Sequence, residues 1–565
     1  MVQPTQASVE DTYKVPFWRS TTVILLLILL LGAFLRLYKL GQSPPGLYQD
    51  EASNAWNAYC LLKTGKDQTG VSWPIFYTRA LGGNNSTLYI YFMIPFEALG
   101  GLNIFTTRFP GAVSGIITLL LIYFVGKRLF DRQVGLMAAL LLALNPWHLQ
   151  QSRWGHEATL CPLVGIAPLA MLLWANMPIS DDKSRAPRPV LAGLAGAVAG
   201  IGCYGYHSIR IYMPVFLLTI ALLTIPQWWR CLKTRRGALA IAAFIFGFAV
   251  TFGPLAWQHI FYPEGISRYG IAHRRMGNFF LDAPFGTAVK NILTRYIRHF
   301  GPEFLFIRGD YNVLRAPPGC GEFHWYMLPL MLAGLVFTLR RFKLSASART
   351  VLAFVIAYPV GDGLFRLGGL SALRSAPGLC SLVLLSAAGA VAGTRWLWSR
   401  KRNLALIAAA AFLTAVVILN VRYFQRFYVE YNREPRVYHF YHTDLVEACK
   451  WLKPRFDDVD AVFCTTELMS FPYVITLVTL GYDPQQWFKD IREFKPLDEW
   501  DYCYRYGKMY FMYDNSLPPA FFALQKSSPP ARILMIVRPG EPNLKQPIHR
   551  ITGPYGSDAL WICEP

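Results

Sequence analysis

Eleven apolar segments restrict the fold of this chain more than any other feature of its sequence. A membrane-spanning helix needs about 20 mostly apolar residues, and each segment comes close to that length. Only 16% of the 565 residues are charged, against about 25% in soluble globular proteins. The segments lie at 21–37, 106–126, 133–150, 158–176, 189–206, 209–227, 237–257, 324–340, 348–364, 373–394 and 403–422. The sequence therefore predicts a polytopic α-helical membrane protein with about eleven transmembrane helices.

Basic linkers alternate with linkers that carry little charge, and this alternation predicts the topology. Loops rich in Lys and Arg stay in the cytoplasm, which makes the N-terminus cytoplasmic and everything after Asn420 external. The net charge of +21 is then explained by topology and by contacts with anionic membrane lipids, not by nucleic acid. No small-residue cleavage site follows the first segment, so we expect a retained anchor. The basic linkers are GKRLFDR (126–132), DDKSRAPR (181–188), WWRCLKTRR (228–236), LRRFKLSASAR (339–349) and RWLWSRKR (395–402).

The segment STLYIYFMIPFEALGG (86–101) is apolar, but we interpret it as an interfacial helix. Counting it as a span would place every later basic linker outside, and it is short and contains Pro95. An amphipathic segment that lies on the outer leaflet avoids this conflict. Two large external loops, 39–105 and 258–323, follow from this interpretation.

The last part of the chain differs in composition and predicts a separate external domain. TDLVEACKWLKP has a helical pattern with an N-cap residue, and DAVFCTT, GKMYFMYD, ARILMIV and ALWICEP read as short strands. We therefore predict a transmembrane catalytic domain over 1–424 and an external (periplasmic) α/β domain over 425–565. The protein is expected in the plasma (inner) membrane.

Ionisable residues gather at the predicted outer ends of the spans. An ionisable side chain at membrane depth costs about 2.5–3.5 kcal/mol on insertion scales and usually faces a cavity or a partner. Alternatives stay open for each residue taken singly, namely snorkelling arginines, a packing histidine, an internal ion pair or solvated loop carboxylates. Taken together, the residues predict one shared polar cavity with a bound anion. They are Asp50, Glu51, Arg153, His156, Glu157, His207, Arg210, Asp362, Arg366 and Arg374.

A carboxylate that faces an anion held by Arg and His side chains suits the displacement of a lipid phosphate. The carboxylate accepts a proton from an acceptor hydroxyl as general base. The cations stabilise the charge that develops on the phosphate leaving group. A single base predicts in-line attack with inversion at the sugar carbon.

Several motifs in the first half of the chain resemble a known enzyme family. QDEA follows the first span, LYIY opens the interfacial helix, R-x-P opens the next span, and P-W-H with a following S-R ends the one after it. This order resembles the bacterial members of the protein O-mannosyltransferase and aminoarabinose-transferase family, which are GT-C-fold glycosyltransferases. The resemblance covers residues 20–230, is weaker through GDGLFRLGGLSALRSAPG, and ends in the tail.

The resemblance implies a polyprenyl-phosphate-linked sugar donor and a reaction at the outer face of the membrane. Asp50 would be the catalytic base and Glu51 its neighbour in the catalytic pair. Donor phosphate-binding residues would be Arg153, His156, His207, Arg210 and Arg374, with Glu157, Asp362 and Arg366 as further cavity residues. LGGNNSTLYIY departs from the Glu-Lys-Pro-like stretch of the aminoarabinose transferases, so transfer to lipid A is not predicted. The tail lacks MIR-type repeats, and the acceptor stays open between lipid, glycan and protein.

Two other classes of function remain as alternatives. A transporter or lipid flippase could use an outward-facing polar cavity, although transporters usually carry repeated halves and mid-membrane polar sites. A binding protein without activity could retain the same cavity. No cofactor is predicted, and a divalent cation held by Asp50, Glu51 and Glu157 stays open.

Overall fold

A computed structural model describes residues 20–182, 184–262, 284–363, 369–497, 500–513, 516–540 and 546–565. A helical bundle accounts for the first three quarters of these residues. Its elements are α1 (Thr21–Leu37), α2 (Gln49–Thr64), β1 (Tyr77–Ala80), β2 (Gly83–Ser86), α3 (Thr87–Gly100), α4 (Ile104–Leu129), α5 (Arg132–Ala143), α6 (Pro146–Gln151), α7 (Cys161–Trp174), α8 (Pro189–Gly202), α9 (His207–Leu223), α10 (Ile225–Leu232), α11 (Arg235–Phe261), α12 (Phe285–Arg298), α13 (Met327–Arg341), α14 (Ala346–Ala357), α15 (Val360–Gly363), α16 (Ala372–Ser375), α17 (Leu379–Arg400) and α18 (Arg402–Gln425).

Each of the eleven predicted spans coincides with a helix or a pair of consecutive helices in the bundle. Five helices are long and apolar enough to cross a membrane by themselves, and a sixth span results if the bent pair α9 and α10 counts as one. Four further apolar helices are shorter, among them α1 and the predicted interfacial helix α3. The helical membrane fold predicted from the sequence is therefore confirmed.

Small residues bring α8 and α11 into close contact. A Cβ atom at Gly196 would collide with the backbone carbonyl of Phe244, and one at Gly247 would collide with that of Gly193. Helices in membranes approach closely where small residues line their interface. The GAVAGIG stretch (196–202) thus serves helix packing.

The chain after the bundle forms a domain around a seven-stranded sheet. The strand order is β4-β5-β6-β3-β7-β9-β8; β3 is parallel to β6 and β7, and the other neighbours are antiparallel. The four strands predicted from the sequence are β3, β6, β7 and β9, whereas β4, β5 and β8 escaped prediction. The elements are α19 (Tyr431–Arg433), α20 (Pro435–Phe440), α21 (Thr443–Leu452), β3 (Ala461–Thr465), α22 (Pro472–Leu480), α23 (Pro484–Lys489), β4 (Arg492–Leu497), β5 (Trp500–Tyr506), β6 (Met509–Met512), α24 (Pro519–Gln525), β7 (Ile533–Val537), β8 (His549–Thr552) and β9 (Asp558–Cys563).

The sheet domain packs on the segment that follows α1. The Leu47 amide donates to the Tyr441 carbonyl at 2.6 Å, and the Trp487 indole donates to the Gln68 carbonyl at 2.9 Å. Gly46 has a φ of +67°, and a Cβ atom there would collide with the carbonyl of Tyr441. Because only glycine fits this backbone at this distance, the turn before α2 is fixed against the sheet domain. The start of α2, which carries Asp50 and Glu51, is held in this way.

Candidate functional site

Glu51 lies in a buried ion pair with Arg108, at the point where α2 and α4 begin. The Arg108 guanidinium donates to both carboxylate oxygens of Glu51, at 2.9 and 3.0 Å, and both side chains are fully buried. Glu51 also accepts from the amides of Gly155 at 2.7 Å and Tyr48 at 3.1 Å. The remaining Arg108 hydrogens bind three backbone carbonyls in the turn over 40–46. This bidentate pair and the Gly155 amide tie the start of α2 to α4 and to the loop after α6.

Asp50, the preceding residue, faces the opposite way and meets His156. Its Oδ2 lies 3.5 Å from Nε2 of His156, and 13% of its side chain is exposed. The Ala158 amide donates to Nδ1 of His156 at 3.0 Å. Since Nδ1 is an acceptor, the neutral imidazole carries its hydrogen on Nε2, the nitrogen that lies 3.5 Å from Oδ2 of Asp50. The His156 ring stacks on Trp154 with centroids 4.6 Å apart, so the imidazole has a fixed orientation.

Glu157 is buried directly behind this pair, in a network of amides. Its Oε2 accepts from the Asn54 side chain at 3.3 Å and lies 3.9 Å from Nδ1 of His156. Asn54 in turn donates to the Gly155 carbonyl and accepts from Asn85 at 2.9 Å. Glu157, which the sequence predicts as a further cavity residue, is buried beside His156 in the structure.

Arg153 is predicted to bind the donor phosphate, and the structure gives its guanidinium other partners. Two of its nitrogens donate to the carbonyls of Leu35, Arg36 and Ser43, at 2.9–3.0 Å. The side chain is fully buried and lies over the rings of Phe427 and Tyr428. Carbonyls at the C-terminus of a helix attract cations, and Arg153 serves this purpose at the end of α1.

His207 and Arg210 sit at the start of α9, on the far side of the Asp50–His156 pair. The rings of Tyr206 and His207 are 3.9 Å apart, and the Tyr206 ring contacts His156 edge-on at 5.7 Å. Arg210 donates to the Cys203 carbonyl at 3.2 Å and lies 3.1 Å from Nε2 of His259. Tyr206 therefore links His156 to His207, while Arg210 joins α9 to α11.

Asp362 and Arg374 belong to a buried charged cluster. Oδ2 of Asp362 accepts from Arg295 at 2.9 Å and from the Ser371 amide at 3.0 Å, and it lies 3.0 Å from Nε2 of His299. The Arg374 guanidinium donates to the other oxygen of Asp362. Arg366, the remaining predicted cavity residue, lies outside the described residues. The sequence predicts Arg374 as a donor phosphate ligand and Asp362 as a further cavity residue, and the structure pairs the two with each other.

Two functional candidates are absent from the sequence prediction, Arg315 and Arg108. Arg315 donates to Asp310 at 3.1 Å and to the Ser371 hydroxyl at 3.0 Å. Burial is the largest single influence and opposes its charge, but the Asp310 carboxylate together with the nearby tyrosines raises the pKa of Arg315 above its ordinary value. Its charge also acts on Tyr206 and Tyr48, the residues beside the Asp50–His156 pair. Arg108 is the arginine of the R-x-P motif, and Arg315 lies in the predicted external loop 258–323. The motif and the loop are the two sequence features from which these residues could have been predicted.

Possible metal ligands are few in this region. Within the described ranges, no group of three or more His, Cys, Asp and Glu side chains is placed to hold a metal ion. Of the three residues that the sequence leaves open for a cation, Glu51 is occupied by Arg108.

Comparisons with known proteins agree with this architecture. Residues 84–257 match the family described as dolichyl-phosphate-mannose-protein mannosyltransferase. ArnT from Cupriavidus metallidurans in the apo state superposes with a TM-score of 0.53 at 13% identity, covering 96% of this chain and 97% of ArnT. ArnT bound to undecaprenyl phosphate gives 0.52 at 12% identity with the same coverage. The chain has a GT-C glycosyltransferase fold.

The GT-C fold extends over nearly the whole chain, including the C-terminal sheet domain. The apo oligosaccharyltransferase of Archaeoglobus fulgidus is also similar, with a TM-score of 0.46 at 13% identity, and the match covers 82% of this chain and 64% of that protein. A comparison with curated protein sequences finds no match. The fold predicted from the sequence is confirmed, and the match of residues 84–257 agrees with the family that the sequence resembles.

Proposed function

We propose that this protein transfers a hexose or pentose from a polyprenyl-phosphate donor to an acceptor hydroxyl, with Asp50 as general base. The observation that carries the proposal is the placement of a partly exposed carboxylate against an oriented imidazole, beside arginines from other elements. The match of residues 84–257 to a family of sugar transferases supports the reaction class. ArnT is known with undecaprenyl phosphate bound, which supports the class of donor.

In the proposed reaction, Asp50 accepts the proton of the acceptor hydroxyl. The acceptor oxygen forms a new bond to the anomeric carbon, and the bond from that carbon to the phosphate oxygen breaks with inversion. The polyprenyl phosphate leaves with the electron pair. The Nε2 hydrogen of His156 lies near Asp50 and keeps the carboxylate oriented, and the position of Asp50 in the first turn of α2 favours its negative charge before proton transfer.

We assign Glu51 a positioning role instead of a catalytic one. Protein donors occupy both of its oxygens, with Arg108 on each of them. A carboxylate that is fully buried and bound to an arginine is a poor proton acceptor for a substrate. Glu51 therefore fixes the start of α2 so that Asp50 points toward the substrate.

Arg315 and Arg374 are the residues that we propose to bind the donor phosphate. Both guanidinium groups are partly exposed, at 22% and 12% of their side chains, and both act electrostatically on Tyr206, which contacts His156. Each is held by a carboxylate and so is pre-oriented for charge that develops in the transition state. His207 and Arg210 flank the same region from α9. Arg153 is not part of this proposal because its donors bind the end of α1.

The proposed orientation follows from the basic linkers. The basic linkers and the N-terminus lie in the cytoplasm. The Asp50 site and the domain over 425–565 then lie on the outer side of the plasma membrane. Loops 39–105 and 258–323 contribute Asp50 and Arg315, respectively, to the external face.

Asp50→Asn tests the assignment of the base. General-base catalysis contributes about 10²–10⁴-fold, so we expect the variant to lose transfer by that factor. The measurement is the release of free lipid phosphate from a panel of polyprenyl-phosphate sugars by purified protein, together with donor affinity. Asp182→Asn, an exposed carboxylate at the other end of the bundle, serves as the control. Unchanged turnover of Asp50→Asn would refute the base. Movement of donor across a vesicle membrane without phosphate release would instead indicate a flippase.

A further inference from the structure

A cavity of about 800 Å³ lies at the end of the bundle opposite Asp50. Helix α4 runs between the two places, since Arg108 near its start contacts Glu51 and Leu129 at its end lines the cavity. At 1.5 Å per residue this separation is about 30 Å. The cavity is therefore distinct from the proposed glycosyl-transfer site, and that reaction gives it no role.

The walls of the cavity form an apolar groove between α13 and α17. Leu332 and Val336 of α13 contribute to the wall and are 56% and 48% exposed, so the groove opens on the outer surface of the bundle. On α17 the wall is formed by Ala388, Val391, Ala392 and Gly393, with Arg395 and Trp396 at its end. A Cβ atom at Gly393 would meet nothing within 4 Å, which shows that small side chains leave the groove open. In a membrane, this surface faces lipid acyl chains.

Three arginines surround the end of the groove, namely Arg340, Arg341 and Arg395. Arg395 pairs with Asp131 at 2.8 Å, and the Arg341 guanidinium lies 4.6 Å above the Phe337 ring. The two acidic residues that line the cavity accept hydrogen bonds from helix N-termini. Asp131 caps α5, and Asp181 accepts from the Ala346 amide at the start of α14. Within the described ranges, neither of them pairs with Arg340 or Arg341.

We propose that this cavity binds an anionic phospholipid of the cytoplasmic leaflet. One acyl chain lies in the groove between α13 and α17, and the phosphate binds Arg340 and Arg341. The combination of an open apolar groove with a cationic end matches the two parts of such a lipid. Basic pockets between transmembrane helices on the cytoplasmic side bind anionic headgroups. Four of the five basic linkers, 126–132, 181–188, 339–349 and 395–402, border this cavity.

Native mass spectrometry of the purified full chain tests the charge of the lipid. We expect dioleoyl phosphatidylglycerol to bind in preference to dioleoyl phosphatidylcholine. A basic residue near anionic lipid contributes about 1 kcal/mol, or about fivefold in affinity, so Arg340→Gln with Arg341→Gln should weaken binding about 25-fold. Arg235→Gln with Arg236→Gln removes equal charge from exposed positions on the same predicted side and should leave binding nearly unchanged. Equal binding of both lipids, or an equal loss in both double variants, would overturn the proposal.

Gly393→Leu tests the groove independently of charge. Leucine is a better helix former than glycine, and open space lies at this position, so the variant should fold and fill the groove. We expect binding of phosphatidylglycerol to fall at least tenfold without a change in thermal stability in detergent. Unchanged binding would exclude the acyl chain from the groove. The wild-type protein could instead bind polyprenyl phosphate more tightly than phosphatidylglycerol. If Gly393→Leu then abolished that binding, the proposed occupant of the groove would be wrong.

Discussion

Asp50 and Glu51 are neighbours in the sequence, yet the first turn of α2 sends them into opposite environments. Glu51 is fully buried and holds Arg108 with both oxygens. Asp50 keeps part of its side chain exposed and faces His156 at 3.5 Å. The comparison shows that the role of a carboxylate here depends on which donors already occupy it. In the proposed reaction Asp50 acts as the base, and Glu51 fixes the backbone that presents it.

Glu51→Gln is expected to give the largest effect on folding, since it leaves the buried Arg108 charge without its partner. Breaking a buried ion pair on one side costs about 3–5 kcal/mol. We expect a lower free energy of unfolding, measured by denaturation in detergent, and a loss of activity that follows the loss of folded protein. The double variant Glu51→Gln with Arg108→Gln should recover part of the stability. If Glu51→Gln instead folded normally but transferred no sugar, Glu51 would be catalytic.

Arg153→Met should act on stability and not on donor recognition, because the guanidinium binds carbonyls at the end of α1. Hydrogen bonds to a charged group contribute about 1.5–3 kcal/mol, and we expect a loss in that range. KM for the donor should stay within about twofold of the wild-type value in the folded fraction. A large increase in KM at normal stability would restore Arg153 as a phosphate ligand.

Arg315→Gln should weaken the stabilisation of the leaving phosphate, and Arg374→Gln should have the same kind of effect. Losing one oriented cation is expected to lower kcat/KM by about 10²–10³-fold, the scale for one stabilising donor. The test is steady-state kinetics with a polyprenyl-phosphate sugar, and Arg308→Gln, an exposed arginine of the same loop, is the control. Wild-type kinetics in Arg315→Gln would remove this residue from the site.

His156→Phe should give the smallest effect, about tenfold in kcat, because it keeps the stack on Trp154 while it removes the Nε2 hydrogen near Asp50 and the Nδ1 acceptor of the Ala158 amide. The measurement is the release of lipid phosphate, beside the free energy of unfolding in detergent. A lower rate that merely follows a loss of stability would mean that His156 supports the fold alone.

Hydropathy and charge in the sequence were sufficient to predict the helical membrane domain and the α/β domain that follows it. Every predicted span coincides with a helix or a pair of consecutive helices, and the first, Thr21–Leu37, matches to the residue, because burial in lipid demands a long apolar stretch. The strands β3 and β7 are buried at every position and are apolar enough to recognise. In contrast, β4 (REFKPL) and β8 (HRIT) are edge strands with charged residues, and edges tolerate charge, so no apolar pattern marks them.

The tertiary structure alone decided what each charged residue does. The sequence placed Asp50, Glu51 and Arg153 at one end of the bundle, but their partners come from distant parts of the chain. Arg108 reaches Glu51 from α4, and Arg153 reaches the carbonyls that α1 leaves without donors at its end. Such pairings depend on how helices pack, and helix packing depends on long-range contacts that a local pattern does not contain. The sequence by itself therefore determined a helical membrane protein of the GT-C fold with a carboxylate pair after its first helix, and only the tertiary structure separated the exposed carboxylate from the buried one.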